Sequence, residues 1–336
     1  RGRRSARGRS RRLADGGRVV LCVLCGLPAA GKSTLARALR RQLPLRQGWD
    51  CALLVYDDLI PEEAWGRGAN PAPRSVPQDS AWKRRRRELL RLLERFLRAL
   101  RSGPAPPGPA PPGWSRFLSC CAEQGLRPGR DGGGPRVRPL CIVLDDNFYY
   151  RSMRYEVFQL AREYSLGFCQ LFLECPLELC LQRNRLRGSP VPEGTICRMA
   201  QRVELPEPEK NPWEQNSLIL SCSACTPEEQ CDAGLMEEAD RAICAASTVH
   251  QADQTCRRII SQTMKEAKDK NVLPSELKSL AEELNKLKAE FLEDLRQGSH
   301  VENESGQQNP TTDPATSVLS SFQLEATNVI NKYILK

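Results

Sequence analysis

Five short apolar runs recur along the chain: Val19–Cys25, Ala52–Tyr56, Leu140–Leu144, Phe168–Leu173 and Ser217–Leu220. Near-continuous apolarity over such short lengths marks strands buried on both faces, and stretches of helical spacing separate the runs. That alternation predicts an α/β fold, a five-stranded parallel sheet with helices on both faces. Between the second and third runs, Lys83–Arg101 carries Leu89, Leu90, Leu93, Phe96, Leu97 and Leu100 on one helical stripe. Further on, Leu277, Leu280, Leu284, Leu287, Phe291 and Leu295 repeat at intervals of three and four. They form one face of a long amphipathic helix, paired with a preceding helix over Gln254–Lys268. No run approaches the eighteen or so apolar residues of a membrane span, so no membrane association is expected.

The sharpest chemical signal sits where the first run ends. Gly26-Leu27-Pro28-Ala29-Ala30-Gly31-Lys32-Ser33 fits GxxxxGK[ST], follows a strand and opens a helix from Ser33 to about Gln42. Small residues let backbone N–H groups wrap phosphates, and the helix N-terminus adds its positive dipole. Lys32 is expected to reach the β/γ oxygens and the Ser33 hydroxyl to bind Mg²⁺, with Thr34 completing the ATP-binding segment.

Asp57-Asp58 ends the second strand. A carboxylate there can orient an acceptor hydroxyl and take its proton. Alternation along a strand lets one of the two enter the site; Asp58 is favoured as base, with Asp57 second. The third strand closes on Asp145-Asp146-Asn147, a Walker B pattern in which Asp145 holds Mg²⁺ directly or through water. After the fourth strand, Arg183 and Arg187 stand at i and i+4, expected to share one face of a short lid helix and clamp phosphoryl charge. Tyr149, Tyr150, Arg151 and Arg154 either grip a nucleic-acid end or pack the next helix. The two histidines, His250 and His300, lie outside the expected core, which argues against a histidine base.

Composition then sets the boundaries. Nine of the twelve residues in Ser102–Gly113 are Pro or Gly, too few side chains to pack a core. The expected organisation is a disordered basic start over 1–17 and a P-loop kinase domain over 18–221, interrupted by a disordered insertion at about 102–138. A linker over 222–248, a helical region over 249–297 and a mostly disordered tail over 298–336, ending in a short helix that runs to Lys336, follow. The net charge of +9 is local: residues 1–12 carry seven arginines and no acid, and residues 83–101 carry nine basic and two acidic side chains. Everything else is net negative, so charge alone does not mark the whole surface for nucleic acid.

Fifteen cysteines without a visible signal peptide read as buried free thiols in a reducing compartment, the cytoplasm. Cys22 and Cys25 form a CxxC on a strand, where alternation sends them to opposite faces and spoils a shared metal. Cys222, Cys225 and Cys231 could ligate zinc but lack a fourth ligand at knuckle spacing. The arginine-rich start fits a mitochondrial transit peptide, a nucleic-acid tail or an incomplete gene model. The last is preferred because it has no apolar face.

The P-loop together with LDDNFYY at 144–150, RSMRYEVFQLAREY at 151–164, CPLELCLQRN at 175–184 and NPWE at 211–214 resembles the L-seryl-tRNA(Sec) kinase family, animal type, within the Kti12-like P-loop kinases. DQTCRRIISQTMKEAKD at 253–269 and LAEELNKLKAEFLEDL at 280–295 extend the likeness. The resemblance implies an adenylate-kinase-like domain that transfers the γ-phosphoryl group of ATP, with Mg²⁺, to the serine hydroxyl of Ser-tRNA(Sec) for selenocysteine biosynthesis. It further implies a helical C-terminal domain that grips tRNA, placed here in 250–297, where Arg257, Arg258, Lys265, Lys268 and Lys270 cluster. Archaeal members tend to carry an arginine where this chain has Pro61, so that supporting cation is missing or supplied elsewhere. A homodimer is left open. The alternatives are a Kti12-like tRNA-associated regulatory ATPase and a small-molecule or polynucleotide kinase.

Overall fold

Each of the five apolar runs is a strand of one parallel sheet: β1 Val19–Gly26, β2 Asp50–Val55, β3 Leu140–Asp145, β4 Gly167–Glu174 and β5 Ser217–Ser221. The computed structural model describes residues 19–59, 78–102, 110–126, 138–221, 233–270, 272–297 and 314–334. Strand order is β2-β3-β1-β4-β5, with Leu24 beside Asp145 on one side of β1 and Gly26 beside Leu173 on the other. The chain therefore leaves β1 at the point where neighbouring connections diverge, the crevice in which open α/β sheets bind ligands.

Strand alternation sorts the core. Leu21, Val23 and Cys25 join one cluster with Phe96, Phe117, Phe148 and Val157. Val20, Cys22 and Leu24 are equally buried but lie outside that cluster. The Cys22 thiol meets those of Cys141 and Cys169 on the flanking strands. Cys22 and Cys25 thus do point apart, and no disulfide joins the described cysteines.

The helices are α1 Lys32–Arg46, α2 Tyr56–Leu59, α3 Gln78–Ser102, α4 Trp114–Glu123, α5 Arg151–Glu163, α6 Leu177–Arg185, α7 Glu193–Ala200, α8 Ala233–Asp269, α9 Pro274–Gln297 and α10 Pro314–Ile334. Helix α1 runs through Pro44 rather than stopping near Gln42; the N–H of Gln47 still reaches Leu43 O and closes the last turn.

Two expected irregular segments contain helix, and the short helix expected before Lys336 begins earlier, at Pro314. Within the supposed disordered insertion, α4 buries Phe117 and Cys121. The Gln124 side chain beyond it accepts from Leu53 N–H at 2.7 Å and donates to Leu53 O at 2.8 Å. That amide stands in for a sixth strand and covers the edge of β2; the rest of the insertion, 103–109 and 127–137, lies outside the described residues. The linker expected over 222–248 is helical from Ala233, since Met236, Ala239, Ile243 and Ala246 form a buried stripe. In the tail, α10 buries Phe322, Ala326, Val329 and Ile330, and the Phe322 ring lies 5.2 Å from that of Phe291.

The chain divides into two compact units, residues 1–243 and 244–336. The second has its own core, in which Leu280, Leu284 and Phe291 of the leucine stripe meet Cys256, Ala267 and the buried face of α10. No described helix is long and apolar enough to cross a membrane.

Candidate functional site

The loop after β1 is shaped by two glycines. Gly26 has φ 134°, and a Cβ there would lie 2.6 Å from Leu173 O, so the backbones of β1 and β4 close only around glycine. Gly31, at φ 103°, caps α1 and accepts from the N–H groups of Thr34 and Leu35. The Gly26 N–H donates to Asn147 O at 2.9 Å, tying the loop to the segment after β3. Lys32 is buried, and its Nζ donates to Leu27 O at 2.6 Å and Gly26 O at 3.2 Å. Burial pushes its pKa down, while Asp145 and Asp146 pull it back up.

Asp145 ends β3 with one oxygen buried and lacking a hydrogen-bond partner, and its carboxylate accepts from the Ser33 hydroxyl. Burial raises its pKa; Ser33 and Lys32 oppose the rise. A buried orphan carboxylate oxygen beside a hydroxyl suits a small hard cation, which takes few protein oxygens and completes its shell with phosphate and water. Among the described residues no group of three His, Cys, Asp or Glu side chains could hold a metal, consistent with such an open site. Cys222, Cys225 and Cys231 lie outside the described residues.

Asp146 does not simply duplicate Asp145. Arg86 Nε lies 3.0 Å from its carboxylate, both side chains being almost fully enclosed. The guanidinium stacks 4.7 Å above the Phe148 ring, whose residue sits at φ 41°. Sequence reading placed Arg86 only in a basic run; nothing in its spacing distinguishes it from its four basic neighbours.

Asp57 and Asp58 correct the expected choice of base. They occupy the single turn α2, not a strand, so adjacent side chains diverge by about 100° rather than 180°. The Asp57 carboxyl interacts with Asp146, Arg187 and Lys32, whereas the charge of Asp58 is felt by Cys120 of α4. Burial first, and Asp146 second, push the Asp57 pKa up. Asp57 is the acid turned toward the phosphate loop.

The lid arginines do not share a helix face. Arg183 lies in the last turn of α6, its Nη1 3.8 Å from Cys175 Sγ. Arg187 comes after the helix ends at its Leu186 cap, and it interacts with Lys32 and Asp57. Asn184 closes the intervening turn by bonding Val191 N–H and O at 2.9 and 2.8 Å.

Behind these groups lies a polar core. Arg154 and Glu214 are both fully enclosed and paired at 2.8 Å. Arg154 also donates to Phe148 O and Glu204 O, and Glu214 accepts from Glu207 N–H and Asn211. The pair binds the segment after β3 to the chain returning from α7, so Arg154 is a packing residue here. The Tyr149 and Tyr150 rings lie against each other, centroids 4.2 Å apart and tilted by 38°.

In the second unit, Arg257, Arg258, Lys265, Lys268 and Lys270 are all exposed on α8 and the turn after it. Arg257 is paired with Asp253 at 2.7 Å.

Comparison with known proteins gives two family models: one described as chromatin associated protein KTI12, over residues 138–322, and an AAA domain over residues 21–104. L-seryl-tRNA(Sec) kinase of Mus musculus is 47% identical, over 99% of this chain and 98% of its own length. The Homo sapiens protein of that name is 46% identical, over 76% of this chain and 81% of its own. Among solved structures, Chaetomium thermophilum Kti12 in complex with ADP-AlF3 matches at 17% identity and TM-score 0.41, over 66% of this chain and 98% of that one.

Proposed function

Since the chain belongs to the L-seryl-tRNA(Sec) kinases and to the family of the KTI12 model, we propose that it phosphorylates the serine of Ser-tRNA(Sec) with ATP. The observation that carries the mechanism is the convergence of Lys32, Asp145, Asp57 and Arg187 on one glycine-shaped loop. Phosphate entering the loop meets backbone N–H groups at the start of α1 and draws Lys32 away from the carbonyls it now binds. Mg²⁺, held by Ser33 and Asp145, would neutralise charge building between the β- and γ-phosphates.

Asp57 accepts the serine hydroxyl proton as that oxygen attacks the γ-phosphorus. Its raised pKa strengthens it as a base. Arg187, in the turn after α6, meets the charge spreading over the transferred group. Product is O-phosphoseryl-tRNA(Sec) with ADP. The exposed basic face of α8 supplies sequence-independent contacts to tRNA phosphates.

Labelled ATP offered with Ser-tRNA(Sec), uncharged tRNA(Sec), free serine or no acceptor tests this reading. Label is expected on the aminoacyl group with the first alone. Hydrolysis stimulated by bare tRNA, without label transfer, would replace the kinase reading by that of a tRNA-associated ATPase.

A further inference from the structure

Two thiols stand between the end of β4 and α6, and phosphoryl transfer uses neither. Cys175 follows β4 directly and is half-buried, within a reagent's reach; Cys180, in α6, is fully enclosed. The thiols hydrogen-bond to each other, and Cys180 Sγ also points at Cys175 O at 3.9 Å. Arg183 Nη1 lies 3.8 Å from Cys175 Sγ. Lys32 is the second cation facing the pair.

We propose that Cys175 and Cys180 are an oxidisable pair at the edge of the phosphate loop, with Cys175 oxidised first by peroxide and Cys180 closing the disulfide. The surroundings divide the labour. The Cys180 hydrogen bond, then Arg183 and Lys32, lower the Cys175 pKa to about 7 against the opposing effect of burial. That same bond and burial push Cys180 up. At neutral pH the negative charge therefore sits on the reachable sulfur and the proton on the enclosed one. Cys22 is the other described thiol pushed down, but it is sealed inside the sheet.

The chemistry balances with hydrogen peroxide as oxidant. The Cys175 thiolate attacks one peroxide oxygen, the O–O bond breaks, and the departing hydroxide takes a proton to become water. Cys175 becomes a sulfenic acid. Cys180 then gives up its proton and attacks that sulfur; the S–O bond breaks and a second water leaves. Two sulfurs lose one electron each and peroxide is reduced to water.

The disulfide would act on nucleotide binding through two residues already placed. Leu173, two residues before Cys175, is the wall against which Gly26 and Gly31 pack, and Arg183 loses the thiolate it faces. Oxidation is therefore expected to abolish phosphoryl transfer until dithiothreitol restores it.

Peptide mapping of the full chain after hydrogen peroxide tests the assignment, because cleavage after Glu178 separates the two cysteines. A linked Cys175–Cys180 peptide is expected. Cys180→Ser should stop at a dimedone-reactive Cys175, and Cys175→Ser should keep basal activity and resist peroxide. Iodoacetamide should label Cys175 at least about threefold faster than Cys120 or Cys197 at pH 7, with a midpoint near 7 and slowing under ATP. No linked peptide, or equal peroxide sensitivity of Cys175→Ser and the parent, would overturn the proposal. The mapping needs no acceptor, so it stands apart from the choice of tRNA substrate.

Discussion

Asp57 and Asp58 share one helical turn, and Asp57 lies in the field of Lys32, Arg187 and Asp146. Asp57→Asn is expected to cost about 10²–10⁴ in kcat with ATP affinity retained, and Asp58→Asn little. Comparable losses from the two would remove the distinction. A base works only when deprotonated, so activity falls as pH drops through its pKa. Because that pKa is raised, the acid limb of kcat/KM belongs above the ordinary aspartate value of about 3.9, and it should vanish from the residual activity of Asp57→Asn. Lys32→Ala should abolish transfer while circular dichroism and melting stay close to those of the parent, since its Nζ binds only loop carbonyls. Loss of folding instead would assign Lys32 to structure.

At the scale of elements, the segment after β3 is held from behind. Breaking the enclosed Arg154–Glu214 pair by Glu214→Gln leaves a buried guanidinium without its counter-charge, at a cost of about 3–5 kcal/mol. Burial pushes the Glu214 carboxyl up, but the Glu207 N–H and Arg154 outweigh it and leave the pKa lowered. A lowered carboxyl contributes stability that is complete above its unfolded pKa of about 4.3 and lost as pH falls through the folded value. Urea midpoints of parent and Glu214→Gln should thus draw together as pH falls below the ordinary glutamate range; a constant gap would assign the effect to packing. The strands were legible from apolar runs alone, because a strand buried in the sheet needs no partner to be recognised, and the P-loop from its GxxxxGK[ST] spacing. Helix α4 was not. Its docking face is short, follows a Pro/Gly run, and gains its reason from Gln124 on the backbone of β2.

At the scale of the whole molecule, nucleotide chemistry belongs to residues 1–243 and the exposed basic face of α8 to residues 244–336. Replacing Arg257, Arg258, Lys265 and Lys268 by Ala should weaken tRNA binding and flatten its salt dependence, each lost phosphate contact reducing the log–log slope by somewhat under one unit. ATP hydrolysis without tRNA should be unchanged. An unaltered slope would clear this face of RNA contact. The same unit is stabilised by α10, where Phe322→Ala should cost about 3–5 kcal/mol, read as an earlier melt of that unit.

What the amino-acid order determined by itself was local: five strands, a phosphate loop, and an acid after each of β2 and β3, since each follows from the spacing of neighbouring residues. What only the tertiary structure decided was which side chains converge. Asp57 displaced Asp58 because the strand yields to a helical turn, and Arg86 reached Asp146 from another helix. Arg187 entered the site from a turn, and Cys175 met a cation beside the loop. Such choices depend on distances between segments far apart in the chain, and periodicity carries no record of them.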